Sequence, residues 1–136
     1  MFPTRTTYQL TTTLNVPIEE ALPIVKDALK EQGFGILFEL DMQKILKEKL
    51  NQDFRPYFVL GACNPPLANQ ALHIETEIGL LLPCHVVVYE DGDGAIVSTI
   101  DPIASLGIVA NPDLDTIAND VKARFQRAIA SLAAQN

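Results

Sequence analysis

The four residues Asp91-Gly92-Asp93-Gly94, set between the apolar runs 83–90 and 95–100, constrain this chain more than any other feature. Glycines in such a turn permit positive φ, and two strand-like runs so closely joined pair as an antiparallel hairpin. The rest of the chain is read around that hairpin. Residues 8–16 place Leu10, Thr12, Leu14 and Val16 on one face, and their threonines suit a pleated surface, which gives a first strand. Pro17 then opens a helix in which Ile18, Leu22, Val25 and Leu29 recur at helical spacing. Glu19 and Glu20 suit the positive end of its dipole, and Gly33 supplies a left-handed stop. Pro23 is discordant. It removes an internal hydrogen bond unless the helix begins near Glu20, so a kink or a late start is expected.

Residues 34–40 alternate Phe34, Ile36, Phe38 and Leu40 against Gly35, Leu37 and Glu39. Apolar residues on most of both faces predict a strand in the centre of a sheet. Asp41 caps a short helix carrying Ile45, Leu46 and Leu50, with Lys44, Lys47, Glu48 and Lys49 on its outer face. Residues 57–63 read as a third strand. Asn64 is a good cap and Pro65 fits the first helical position, so a helix with Leu67, Ala68, Ala71 and Leu72 follows at once. Asp101-Pro102 ends the hairpin. Asn111-Pro112 repeats the cap-then-proline pattern ahead of a long closing helix, whose apolar stripe is Leu114, Ile117, Val121, Phe125, Ile129 and Leu132. The order strand, helix, strands, helix, with short helices inserted, fits an α+β fold in which a mostly antiparallel sheet carries its long helices on one face. No repeat, low-complexity run or flexible linker divides residues 1–136, so one domain is expected.

Composition narrows the partners. A net charge of -7 repels phosphate backbones and anionic lipid headgroups, so neither nucleic acid nor a membrane is an expected partner. An apolar fraction of 48% against 20% charged residues leaves surface for a second copy to cover, and a homodimer is expected. Residues 1–14 lack the basic start and apolar run of a secretory signal. The longest apolar stretch, 78–89, is interrupted by Pro83, Cys84 and His85 and is far shorter than the ~20 residues that span a bilayer. Two cysteines make no disulfide scaffold, so the expected setting is the reducing cytoplasm, with no cofactor implied.

The chemistry on offer centres on Cys63 and Cys84. Cys63 ends a predicted strand and stands beside a helix start, whose partial positive charge favours thiolate and can make the sulfur nucleophilic or metal-binding. The bland alternative is a small, adaptable hydrophobe at a tight corner. Cys84 and His85 are strand neighbours pointing to opposite faces, so a local Cys-His dyad is not expected. The two cysteines could still meet across the sheet as a dithiol or reversible disulfide. Cys63, Cys84, His73 and His85, with Glu75, Glu77 or Glu90, are the available metal ligands, yet their spacing matches no compact zinc pattern. Asp91, Asp93 and Asp101 lack the remainder of a calcium loop and read as a solvated turn. Gly33-Phe34-Gly35 precedes a strand and carries no nucleotide signal, and no G-x-S-x-G motif supports serine hydrolysis.

Several longer runs resemble a known family. Lys30-Glu31-Gln32-Gly33-Phe34-Gly35, Phe54-Arg55-Pro56-Tyr57, Leu60-Gly61-Ala62-Cys63-Asn64-Pro65-Pro66-Leu67-Ala68, and Gly79-Leu80-Leu81-Leu82-Pro83-Cys84 with Val86-Val87-Val88-Tyr89-Glu90 are similar to the bacterial and archaeal domain of unknown function 302. The resemblance implies a TATA-binding-protein-like α+β fold, a curved antiparallel sheet around a long C-terminal helix, often dimeric. It does not imply DNA binding. It also implies a cysteine pair at Cys63 and Cys84 beside the Asn64-Pro65 corner, whereas the position of His85 is more often asparagine. The leading expectation is a non-catalytic homodimeric binding or accessory domain, with an apolar groove for a small molecule or a partner segment. The alternative is a thiol-based redox, sulfur-transfer or soft-metal protein using Cys63 and Cys84, with Asn64, Pro65, Pro83 and His85 as neighbours. A third reading is a structural module of a larger assembly.

Overall fold

The structure, a computed structural model, describes residues 8–136. Five antiparallel strands form an open sheet in the order β1-β5-β4-β3-β2. They are β1 Gln9–Leu14, β2 Gly35–Asp41, β3 Tyr57–Cys63, β4 Cys84–Asp91 and β5 Gly94–Ile100. The hairpin joins β4 to β5 as its glycines predict, with Asp91 opposite Gly94. Only Gly92 uses positive φ, at +58°. Gly94 is required for a different reason: a Cβ there would stand 2.8 Å from the Leu14 carbonyl oxygen of β1.

The helices are α1 Ile18–Glu31, α2 Met42–Leu50, α3 Pro65–Ile74, α4 Pro102–Leu106 and α5 Asp115–Ala133. Helix α1 begins at Ile18, not near Glu20, and runs on through Pro23. Glu19, whose carbonyl would have bonded the missing Pro23 N–H, is exposed along with Pro23, so water can serve the freed oxygen. Gly33 ends the segment at φ +86°, as expected. Asp41 caps α2 by accepting from the Lys44 N–H, although no residue of α2 is buried. A 3₁₀ turn at Thr76–Leu81 and the short α4 were not foreseen.

The second strand corrects an expectation. It lies at the edge of the sheet, not at its centre. A register shift between Ile36 and Phe38 bulges Leu37 out to 63% exposure, and Lys26 of α1 pairs with Glu39. Its two-sided apolar pattern therefore reflects a bulge and a partly exposed outer face. On the face turned to the helices, Leu60, Val86, Val88 and Val97 of the central strands are fully buried, along with Val25 of α1 and Phe125 of α5. Helix α5 packs against β1 and α1, and Asn136 just beyond it ties back to β1, accepting from Asn15 N–H and donating to the Thr13 carbonyl. Among the described residues no helix is long and apolar enough to cross a membrane.

Candidate functional site

Strand β3 delivers Cys63 directly to the start of α3. Asn64 adopts extended backbone and its Oδ1 accepts from the Leu67 N–H at 3.2 Å, while Pro65 occupies a position where no N–H is missed. The neighbouring strand begins at Cys84, which lies directly opposite Ala62 in the ladder. This register carries both cysteines to the same end of the sheet. Helix α3 and the first two turns of α5 cover that end, and between them lies a cavity of about 260 Å³.

Its lining is almost wholly apolar. Phe34, Leu67, Ala71, Leu82, Ile117 and Val121 are among its wall residues, joined by Cys63, Cys84, Asn64 and Pro83. Phe34 is held in place by a parallel stack on Phe125, ring centroids 4.5 Å apart. Asn64 is the main polar side chain present, and its oxygen is already engaged by the helix start. At the mouth, Leu37 and Leu72 are 63% and 42% exposed, and Leu80 in the adjoining 3₁₀ turn is 83% exposed.

The thiols are free and differ from one expectation. Burial raises the pKa of Cys63 above its ordinary value, so the helix start does not leave it a ready thiolate. Burial pushes the Cys84 thiol up to about 11, reinforced by the charge that Cys63 would carry when ionised. Both are protonated at neutral pH. His85 is exposed on the opposite face of the sheet, tilted against Phe38, and takes no part in the cavity.

The other suggested ligands do not converge. His73 is exposed and its Nδ1 lies 2.8 Å from the Asn69 carbonyl within α3. Among the described residues no three His, Cys, Asp or Glu side chains are grouped to hold a metal ion. Asp91 and Asp93 are exposed at the hairpin, but Asp101 is buried, caps α4 through the Ile103 N–H and pairs with Lys122 at 2.9 Å. A larger open cleft of about 420 Å³ beside α2 is lined mainly by exposed polar and charged groups, with the Lys47–Asp53 ion pair within it. Such a lining offers little to hold a ligand out of water. Leu82, Leu106, Ile117 and Val121 were legible only as core or loop positions; nothing in their spacing announced a cavity.

Fold and cavity together define an open-sheet α+β domain with an apolar hollow between its helices and one end of the sheet. The chain belongs to the family described as Domain of unknown function DUF302, whose model matches residues 10–132. It is similar to the crystal structure of the uncharacterized conserved protein DUF302 from Bacillus stearothermophilus, with a TM-score of 0.83 and 27% identity over 96% of this chain and 98% of that one. No curated protein matches it.

Proposed function

We propose that this chain is a non-catalytic, homodimeric binding domain whose cavity takes a compact apolar small molecule. The observation that carries this reading is the lining: an apolar hollow between α3 and α5 whose one principal polar side chain is internally bonded. Small-molecule sites begin at about 300 Å³, so 260 Å³ suits a small occupant, or a single apolar side chain of a partner segment. Exposed Leu37, Leu72 and Leu80 continue the apolar surface outward from the mouth. A cytoplasmic location accords with two free thiols. A TATA-binding-protein-like sheet would not bring DNA binding with it, because a net charge of -7 opposes a phosphate backbone.

The test is a titration of the labelled protein with benzene, indole and a short-chain alcohol, followed by amide and methyl shifts. Shifts confined to Leu67, Ala71, Ile117 and Val121 are expected, and Ala68→Phe, which fills the hollow from α3, should abolish them. If none of these probes moves the cavity signals at millimolar concentration, the reading fails.

A second reading rests on one observation: Cys63 and Cys84 open on the same cavity. It assigns the pair to thiol redox, sulfur transfer or soft-metal binding. Raised thiol pKa values stand against the nucleophilic versions of it.

A further inference from the structure

The sheet has a second face, turned away from the buried core. Alternation places Tyr57, Val59, His85, Val87, Tyr89 and Ile96 there, and every one of them retains solvent exposure. Tyr57 and Tyr89 stack with centroids 5.2 Å apart, and the neutral Thr11 and Ser98 hydroxyls bond each other at 2.8 Å on the β1–β5 side. A shallow hollow of about 330 Å³ runs across β1, β3, β4 and β5 on this face.

Charge sets this face apart. The chain has 10 basic and 17 acidic residues, and none of them lines the hollow. Arg55, over the Tyr89 ring, stands at its rim. Two copies of a chain carrying a net charge of -7 repel one another at long range, so they can associate stably only through a surface that brings no further like charge together. Leaving out β2, which α2 contacts, the four strands β1, β5, β4 and β3, about 4.8 Å apart and each roughly 20 Å long, present a projected face of about 400 Å², and side chains standing off the sheet raise its accessible area. Stable interfaces begin at roughly 600 Å² per partner. The face is thus of the size a small dimer needs, and sheets packed face to face are a standard way of burying such alternating residues.

We propose that a second copy of this chain packs its own open face against this one, sheet on sheet about a twofold axis, closing the hollow over Tyr57, Val87 and Tyr89. The inference rests on the homodimer reading above and names its surface. Val87→Lys puts an unpaired charge at the centre of the contact, while in the isolated protomer the lysine can reach water. Sedimentation velocity at micromolar concentration should give a wild-type dimer and a Val87→Lys monomer, with association weakened at least about a hundredfold and an unchanged far-ultraviolet circular dichroism spectrum. A wild-type monomer overturns both the homodimer and this face. A wild-type dimer that Val87→Lys leaves intact overturns the face alone. Should that variant not fold, isotope-filtered NOEs in mixed-labelled wild type decide: intermolecular contacts from the Val87 methyls support the face, and their absence from a dimer overturns it.

Discussion

Cys84 holds its proton more tightly than the unfolded chain would. Its pKa of about 11 lies above the ordinary value of 9.0, so between those two pH values the folded thiol stays protonated while the unfolded one ionises. The unfolded state then binds fewer protons, and stability present below pH 9 must fall as pH rises towards 11. Urea denaturation at pH 8 and pH 10.5 should show this fall, and Cys84→Ala should reduce it; an equal fall in both proteins would remove Cys84 as its source. Alkylation gives a kinetic counterpart. Cys63 and Cys84 should both react more slowly in the folded protein than in urea at pH 8, with Cys84 the slower, and fast reaction of Cys63 near neutral pH would revive the thiol-chemistry reading. Gly94 and Gly92 differ in the same local way. Gly92→Ala meets no atom but must hold φ +58°, for about 1 kcal/mol, whereas Gly94→Ala drives a methyl into the β1 backbone and should cost roughly 1–3 kcal/mol. Thermal denaturation of the two variants ranks them, and a smaller loss for Gly94→Ala would contradict the close approach.

At the scale of elements, the corner from β3 into α3 depends on one side chain. Asn64→Ala leaves the Leu67 N–H without its acceptor and should lower stability by about 1 kcal/mol, with Asn64→Ser recovering most of the loss. Asn64→Asp should do worse than serine, because it carries a charge into a buried position beside the cavity. Equal stability of all four proteins by urea titration would show that the cap does nothing. This corner was legible in the sequence because the cap, the proline and the strand end are local chemistry within three residues. The hairpin was legible for the same reason. The place of β2 was not, because apolar residues on both faces look alike whether a strand is sandwiched or bulged, and the edge position is set by pairing with β3 alone. Nor was the state of Cys63: the sequence shows the helix start, but only the packed fold shows the burial that outweighs it. The cavity depends on α3, α5 and two strand ends meeting from distant parts of the chain, which no local pattern encodes.

For the molecule as a whole, β1 adds the edge strand beside β5, with Gln9 opposite Ile100 and Leu14 opposite Ala95, and α5 locks that pairing by lying across β1 and α1. The buried residues form one cluster running through β1, β3, β4 and β5 and through every helix but α2, while β2 only leans the partly buried Ile36 against it. Phe125 stands at its centre: fully buried on α5, stacked on Phe34, and one turn beyond the cavity-lining Val121. Phe125→Ala should therefore remove a core ring and its stack together, at a cost of about 3–5 kcal/mol. Against a total stability of roughly 5–15 kcal/mol, that loss should lower the melting temperature by about 10–20 °C. The chain has no tryptophan, so the near-ultraviolet signal of the tyrosines, two of them stacked on the open sheet face, can be followed separately from the helical signal at 222 nm. If residues 8–136 act as one cooperative unit, both signals should shift together in Phe125→Ala and keep a common midpoint. A helical transition that moves while the tyrosine transition stays would mean that α5 melts from the sheet on its own, and the single-core account of this fold would have to be given up.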